Sequence, residues 1–173
     1  FRTVGERIVH LDPQLFYKHR GLERSAEGEP FESGLAFAQR ACAACAVANS
    51  VAYAQACEAL LGLLPDRAVR RARTLLLELE RLYNHLNDLA AICAGIGFAP
   101  GTMAFAALKE RAQAINADLT GHRFLFHTIH VARNDLTVDE QAADSARADV
   151  RAICAEAAAC WREVSFSASV QDR

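Results

Sequence analysis

The most regular pattern in the chain is an apolar stripe between Asp66 and Gly97. Ala72, Leu75, Leu76, Leu79, Leu82, Tyr83, Leu86, Leu89, Ala90 and Cys93 recur at steps of three, one and three, the spacing that returns to one face of an α-helix. Asp66 is placed to cap this helix and Gly95 with Gly97 to end it, and Pro100-Gly101 reads as the turn that follows. Glu78, Arg81, His85 and Asp88 lie on the other side, at the spacing of helix-surface ion pairs. Phe105, Leu108, Ala112, Ile115 and Leu119 form a second stripe closed by Gly121. Another runs through Ala143, Ala146, Val150, Ile153, Ala157, Trp161 and Val164, after Thr137-Val138-Asp139-Glu140, which has the form of a capping box. Cys154 and Cys160 read as part of that face.

Upstream, the alanine-rich run from Leu35 to Leu61 is expected to be helical, ended by Gly62 and Pro65, with Cys57 in the core. Ser25 to Gly34 reads as a loop. Val4-Gly5 followed by the alternation around Ile8, His10 and Leu11 suits a short hairpin, stopped by Asp12-Pro13. The segment from His122 to Asp135 holds His122, His127 and His130 among Phe, Ile and Val, and these read as packed or surface histidines before a metal pair. A single amphipathic helix cannot bury its own face, so the stripes need one another. The expected architecture is mainly α: an antiparallel helical bundle of about four long helices with a small N-terminal β element. One domain is expected over 1–173, with the β element and a charged motif in 1–24 and the bundle in 35–165.

Composition narrows the function classes. The chain has 173 residues, 52% hydrophobic and 23% charged, with a formal net charge of -2, so no nucleic-acid partner is expected. The six cysteines lack the regular framework of a small secreted scaffold and read as reduced thiols. No run is long and charge-free enough to predict a transmembrane segment. A start on Phe1 and an end on Gln171-Asp172-Arg173 lead to the expectation that this is a fragment of a longer protein.

Candidate chemistry begins at Arg40-Ala41-Cys42-Ala43-Ala44-Cys45. Two cysteines three apart can present two thiolates to one soft metal ion, and on a helix i and i+3 would put both sulfurs on one face. A redox pair, half a zinc site or small apolar packing residues use the same spacing. The thiol-disulfide reading is set aside here because such a pair needs a helix N-terminus after a strand, whereas this one follows a helix-favouring run. In His19-Arg20-Gly21-Leu22-Glu23 an arginine and a carboxylate could be aimed into a site, or could be a solvated turn before a helix.

Gly5-Glu6, Leu11-Asp12-Pro13, His19-Arg20-Gly21-Leu22-Glu23, Arg40 to Cys45, Leu77-Glu78-Leu79-Glu80-Arg81-Leu82-Tyr83-Asn84-His85-Leu86, Lys109-Glu110-Arg111 and Leu119-Thr120-Gly121-His122-Arg123 follow in that order. In this order and spacing, up to about Asp135, the chain resembles the large subunit of energy-converting NiFe hydrogenases. It equally resembles the homologous core subunit at the quinone site of respiratory complex I (NADH dehydrogenase). The resemblance implies an oxidoreductase subunit in which Cys42 and Cys45 are two of four thiolate ligands of a nickel-iron centre, the other two lying outside these residues. It gives Glu23 a role in moving protons and places Arg20 close to an iron-sulfur cluster in a partner small subunit, with His19, Arg40 and Asn49 as candidate cofactor-contacting residues. Partners implied are that iron-sulfur subunit, membrane-arm subunits and the remainder of the large subunit, at the cytoplasmic side of a membrane. No cofactor is expected in the fragment itself, which is expected to be inactive alone and to self-associate through faces meant for partners.

The chain departs from the family at four places. Ala43 stands where a glycine is usual and Asn49 where a histidine is, and His130-Val131-Ala132-Arg133 lacks the glycine pair that relatives carry before Val-Arg. The family's second cysteine pair is absent from these residues, and Cys154 with Cys160 does not match it. Three readings follow: part of a hydrogenase-type large subunit, a nickel-free complex I-type relative active in quinone reduction or as a scaffold, and a non-catalytic helical interaction module.

Overall fold

The structure, a computed structural model, describes residues 1–172. Two short strands, β1 (Arg2–Val4) and β2 (Arg7–His10), pair antiparallel across a turn at Gly5, whose φ of 58° is one that glycine adopts without strain. Among the described residues seven helices follow: α1 (Leu22–Ala26), α2 (Phe31–Ala41), α3 (Ala46–Leu61), α4 (Arg67–Gly95), α5 (Ala99–Thr120), α6 (Glu140–Phe166) and α7 (Ala168–Gln171). The mainly helical expectation holds, with the hairpin at its N-terminus. Both strands are exposed along their length, and Phe1, Val4, Ile8, Val9, Leu15, Phe16 and Tyr17 stand in solvent.

The spine is α4. Asp66 caps it as expected, its Oδ1 accepting the Val69 N–H at 2.8 Å. The stripe read from the sequence buries Leu76, Leu79, Tyr83, Leu86, Ala90 and Cys93 and serves two cores. Tyr83, Leu86, Ala90 and Cys93 pack with Phe105, Leu108, Ala112 and Ile115 of α5 and with Ile153 and Val164 of α6. Leu76 and Leu79 pack with Val47, Val51 and Ala54 of α3 and with Leu125 and Ile129 of the irregular segment after α5. Cys57 is buried as expected.

Several boundaries differ from the sequence reading. Part of Ser25 to Gly34 is helical, because α1 extends to Ala26 and α2 begins at Phe31 directly after Pro30. Pro100-Gly101 lies in the first turn of α5, where a missing N–H costs nothing. Gly101 is required there: a Cβ would meet Cys93 Sγ at 2.7 Å and Phe98 Cδ1 at 2.8 Å. The cap of α6 is Asp139, which accepts the Ala142 N–H at 2.7 Å, in place of Thr137. Cys154 is exposed and Trp161 half-exposed, because α6 buries only Ile153 and Val164 fully. Between α4 and α6 a groove of about 690 Å³ stays open, lined by Leu75, Leu79, Leu82, Val150 and Cys154 among others.

A buried ion pair ties the irregular segment down. Arg73 of α4 meets the Glu58 carboxylate of α3 through both terminal nitrogens, with side chains 7% and 4% exposed. Arg73 also donates to the His130 carbonyl at 2.8 Å, and the Ala132 N–H donates to Glu58 Oε1 at 2.7 Å. Ala132 is held there at a φ of 54°, the left-handed region where a Cβ is penalised. Ala132→Gly is expected to raise unfolding free energy by about 1 kcal/mol. Urea unfolding checks this, and an unchanged or lowered midpoint contradicts it.

Candidate functional site

The alanine-rich run does not form one helix. Its residues favour helix, yet α2 stops at Ala41, Cys42 is extended at φ −148° and ψ 112°, and Ala43–Cys45 makes one 3₁₀ turn. The Cys45 N–H donates to the Cys42 carbonyl at 3.1 Å within that turn. The axis then bends by 119° between α2 and the stretch that leads into α3. The two cysteines therefore lie on a turn between helices rather than on one helix face, with Cys42 exposed and Cys45 partly buried.

Side chains from α4 stabilise this break. The first N–H groups of a helix have no partner within it, and Cys45, in the cap position of α3, supplies none. The Glu80 carboxylate takes two of them, Val47 N–H at 2.6 Å and Ala48 N–H at 3.0 Å. A carboxylate also suits the positive end of the helix dipole. One turn further along α4, the Tyr83 hydroxyl and the Asn84 amide each donate to the Ala44 carbonyl at 2.7 Å. Glu80 is 4% exposed and Tyr83 1%.

Burial pushes the Glu80 carboxyl above its usual range, against the two N–H bonds that pull it down. Burial also raises the Tyr83 hydroxyl, with the Glu80 charge adding to it. The Cys45 thiol is pushed up to about 11, first by its hydrogen bond with Cys42 and then by burial and by the Cys42, Glu80 and Asp88 charges.

The expected charged motif sits beside this turn. Gly21, at φ 69°, begins α1, and Glu23 lies in its first turn. Arg20 Nη2 donates to the Ala41 carbonyl at 2.6 Å, one residue before Cys42. His19, Arg20 and Glu23 line one cleft of about 440 Å³ together with Lys18, Glu29, Ala41 and Tyr53. Tyr53 closes the cleft against α2: its hydroxyl donates to the Phe31 carbonyl at 2.8 Å, and a Cβ on Gly34 would clash with it at 1.9 Å.

Two of the candidates stand apart. Arg40 is exposed and turns back along α2, donating to the Ala36 carbonyl at 3.3 Å. Asn49 is half-buried one turn into α3 and makes none of the hydrogen bonds that hold the cysteine turn. His127 and His130 join no metal cluster, and no group of three or more His, Cys, Asp or Glu is placed to hold a metal among the described residues. The soft donors of Cys42 and Cys45 fit one half of a four-coordinate thiolate site, and the other half has no candidate in these residues.

The sequence reading missed Glu80, Tyr83 and Asn84 as residues of the site. From spacing, Tyr83 belongs to the apolar stripe and nothing more. The available signal was Glu80, a carboxylate four residues after Leu76 and three before Tyr83, on a helix face whose other buried positions, apart from Arg73, are apolar or aromatic. No single helix is long and apolar enough to cross a membrane among the described residues; only Phe31–Ala41 and Ala43–Leu61, the latter containing α3, pass that test together, as a bent pair.

No family model matches the chain. Its sequence is 38% identical over 120 residues to hydrogenase-4 component G of Escherichia coli, covering 69% of this chain and 22% of that protein. It is 37% identical over 140 residues to formate hydrogenlyase subunit 5 of Escherichia coli, covering 79% of this chain and 24% of the relative. With a D-type subunit of the NADH-quinone oxidoreductase of Streptomyces griseus it shares 34% over 137 residues, covering 76% of this chain and 34% of the relative. The chain thus spans about a quarter to a third of the length of these relatives.

Proposed function

Because this chain belongs to the family that joins hydrogenase and formate hydrogenlyase large subunits with the D-type subunits of NADH-quinone oxidoreductase, we propose that it forms the N-terminal part of an oxidoreductase large subunit of the energy-converting hydrogenase type. The observation that carries this reading is the cysteine turn. Cys42 and Cys45 stand together at a helix break, one residue beyond a carbonyl held by Arg20, and beside a cleft lined by His19, Arg20 and Glu23. In the proposal the two thiols supply half of the donors of a nickel-iron centre, and the rest of the large subunit supplies the other half. The metal would contribute a Lewis-acidic redox centre. Glu23, exposed in the cleft, would carry protons between this centre and solvent.

Arg20 is engaged in part by the Ala41 carbonyl, and its remaining guanidinium charge would face an iron-sulfur cluster in the small subunit, where a cation stabilises the reduced state. The exposed hairpin and the apolar residues that follow it, as far as Tyr17, would be covered by the remainder of the large subunit or by its neighbours in a membrane-attached complex, on the cytoplasmic side.

Asn49 favours a second reading. An amide in place of a histidine cannot titrate, which suits a nickel-free subunit working in quinone reduction; the Streptomyces relative is named as a subunit of an NADH-quinone oxidoreductase. The two readings separate in the assembled complex. On the hydrogenase reading, Cys42→Ser and Cys45→Ser each abolish hydrogen evolution, and Glu23→Gln lowers it by about a hundredfold, the usual weight of a proton-transferring group. Full activity in either cysteine variant would overturn it.

A further inference from the structure

We infer that Glu80, Tyr83 and Asn84 are positioning residues: α4 writes the break into an alanine-rich segment and thereby fixes where Cys45 stands. This rests on the reading of the cysteine turn as the working site, but it concerns only this chain's own residues.

Alone, the segment would form one continuous helix. From Phe31 to Leu61 its only glycine is Gly34, in the second turn, and it holds no proline at all. Such a run propagates as helix, adding one hydrogen bond per residue fixed. In that helix the Ala48 N–H would donate to the Ala44 carbonyl four residues back. Here both groups are taken by α4: Glu80 Oε1 holds the Ala48 N–H at 3.0 Å, while Tyr83 and Asn84 hold the Ala44 carbonyl at 2.7 Å. Three side chains at i, i+3 and i+4 on one face of a well-packed helix thus replace one helical bond with three tertiary ones. They also hold the Val47 N–H at 2.6 Å. Buried polar partners of this kind are costly to leave unmatched, so the two arrangements are discrete.

Cys45 sits inside this clamp, one residue after Ala44 and two before Val47. Cys42 lies outside it, and the nearest tertiary tie is Arg20 on the Ala41 carbonyl at 2.6 Å. Cys45 is thus held from α4, whereas Cys42 meets that clamp only through its hydrogen bonds with Cys45 and is tied on its other side by the residue before Gly21. A soft cation would meet one fixed thiol and one adjustable thiol.

The test is site-resolved alkylation with iodoacetamide, mapped by mass spectrometry on the intact protein after chelation of metals. The structure supplies its own controls, because Cys57 and Cys93 are buried in the cores and Cys154 is exposed on α6. Tyr83→Phe combined with Asn84→Ala is expected to speed Cys45 alkylation by about fivefold, the weight of one or two lost hydrogen bonds. Cys57, Cys93 and Cys154 should keep their rates. Arg20→Ala is expected to change Cys42 more than Cys45, which α4 still holds. Asn84→Ala alone, which leaves the Glu80 charge beside Cys45 in place and removes one donor to the Ala44 carbonyl, provides a milder variant should the double variant fold poorly, and should act on Cys45 in the same direction. Unchanged Cys45 rates in both α4 variants would overturn the inference, as would a rise matched at Cys57 and Cys93, which reports general loosening. Should the native complex prove to hold no nickel while Cys45 still follows α4, the functional reading fails and this inference stands.

Discussion

Arg73→Leu is expected to cost about 3–5 kcal/mol of folding free energy, the loss that follows when one member of a buried ion pair is removed and the other is left uncompensated. Glu58 would keep the Ala132 N–H but lose both guanidinium bonds, and the His130 carbonyl would lose its donor. A domain whose whole stability is about 5–15 kcal/mol would be brought near unfolding. Replacing both partners with apolar residues, Glu58→Met with Arg73→Leu, is expected to cost less than the single change, since no buried charge remains. Urea denaturation of the single and double variants decides this. A double variant weaker than Arg73→Leu would contradict the assignment of the loss to an orphaned charge.

The same pair fixes a pH dependence. The Arg73 hydrogen bond holds the Glu58 carboxyl below its ordinary value of 4.5, against the opposing effect of burial. A carboxyl depressed in the folded state contributes stability that is present above its unfolded pKa and lost as the pH falls through the folded one. The decline should therefore begin below about 4.5 and be absent from the Glu58→Met, Arg73→Leu double variant. Glu80 has the opposite sign. Burial raises its carboxyl in the folded state, so its contribution is greatest below the unfolded value and shrinks as the pH rises through the folded one.

The second large effect is expected at Glu80. Glu80→Ala strips the partners from the Val47 and Ala48 N–H groups, the first in the buried core and the second partly buried, and should cost about 2–3 kcal/mol. Glu80→Gln should cost less, because the amide oxygen still accepts one of the two N–H groups and the expense of burying a charge is removed, although its NH2 then faces the other N–H. Equal losses in the two variants, measured by urea unfolding at pH 7, would show that the charge rather than the accepting oxygens holds the turn.

These two sites mark what was readable from residues alone. The α4 and α5 stripes were legible because one period governs each and burial follows it, and the hairpin because Gly5 marks its turn, although both of its strands stand exposed. His19 to Glu23 and the pair of Cys42 and Cys45 were legible as motifs, and the structure sets His19, Arg20 and Glu23 in one cleft beside Ala41. The break at Cys42 was not, because every local preference of Leu35 to Leu61 is for helix. What overrides that preference comes from Glu80, Tyr83 and Asn84, more than thirty positions further on. Glu58 and Arg73 were invisible for a similar reason: they satisfy a non-helical segment, His130 to Ala132, whose position no periodicity announces. Cys154 read as core because its helix has an apolar stripe, but α6 covers only part of that stripe and leaves the groove against α4 open.

The most direct test of the central claim is the nickel and iron content of the complete complex, purified anaerobically from its own host with its partner subunits, beside the same complex carrying Cys42→Ser. The account predicts nickel in near-equal stoichiometry with this chain in the native complex and its loss from the Cys42→Ser complex. Iron should persist in that variant in proportion to the small subunit's clusters. A native complex without nickel, or one that retains it when Cys42 is serine, would contradict the assignment of the cysteine turn as half of the metal site.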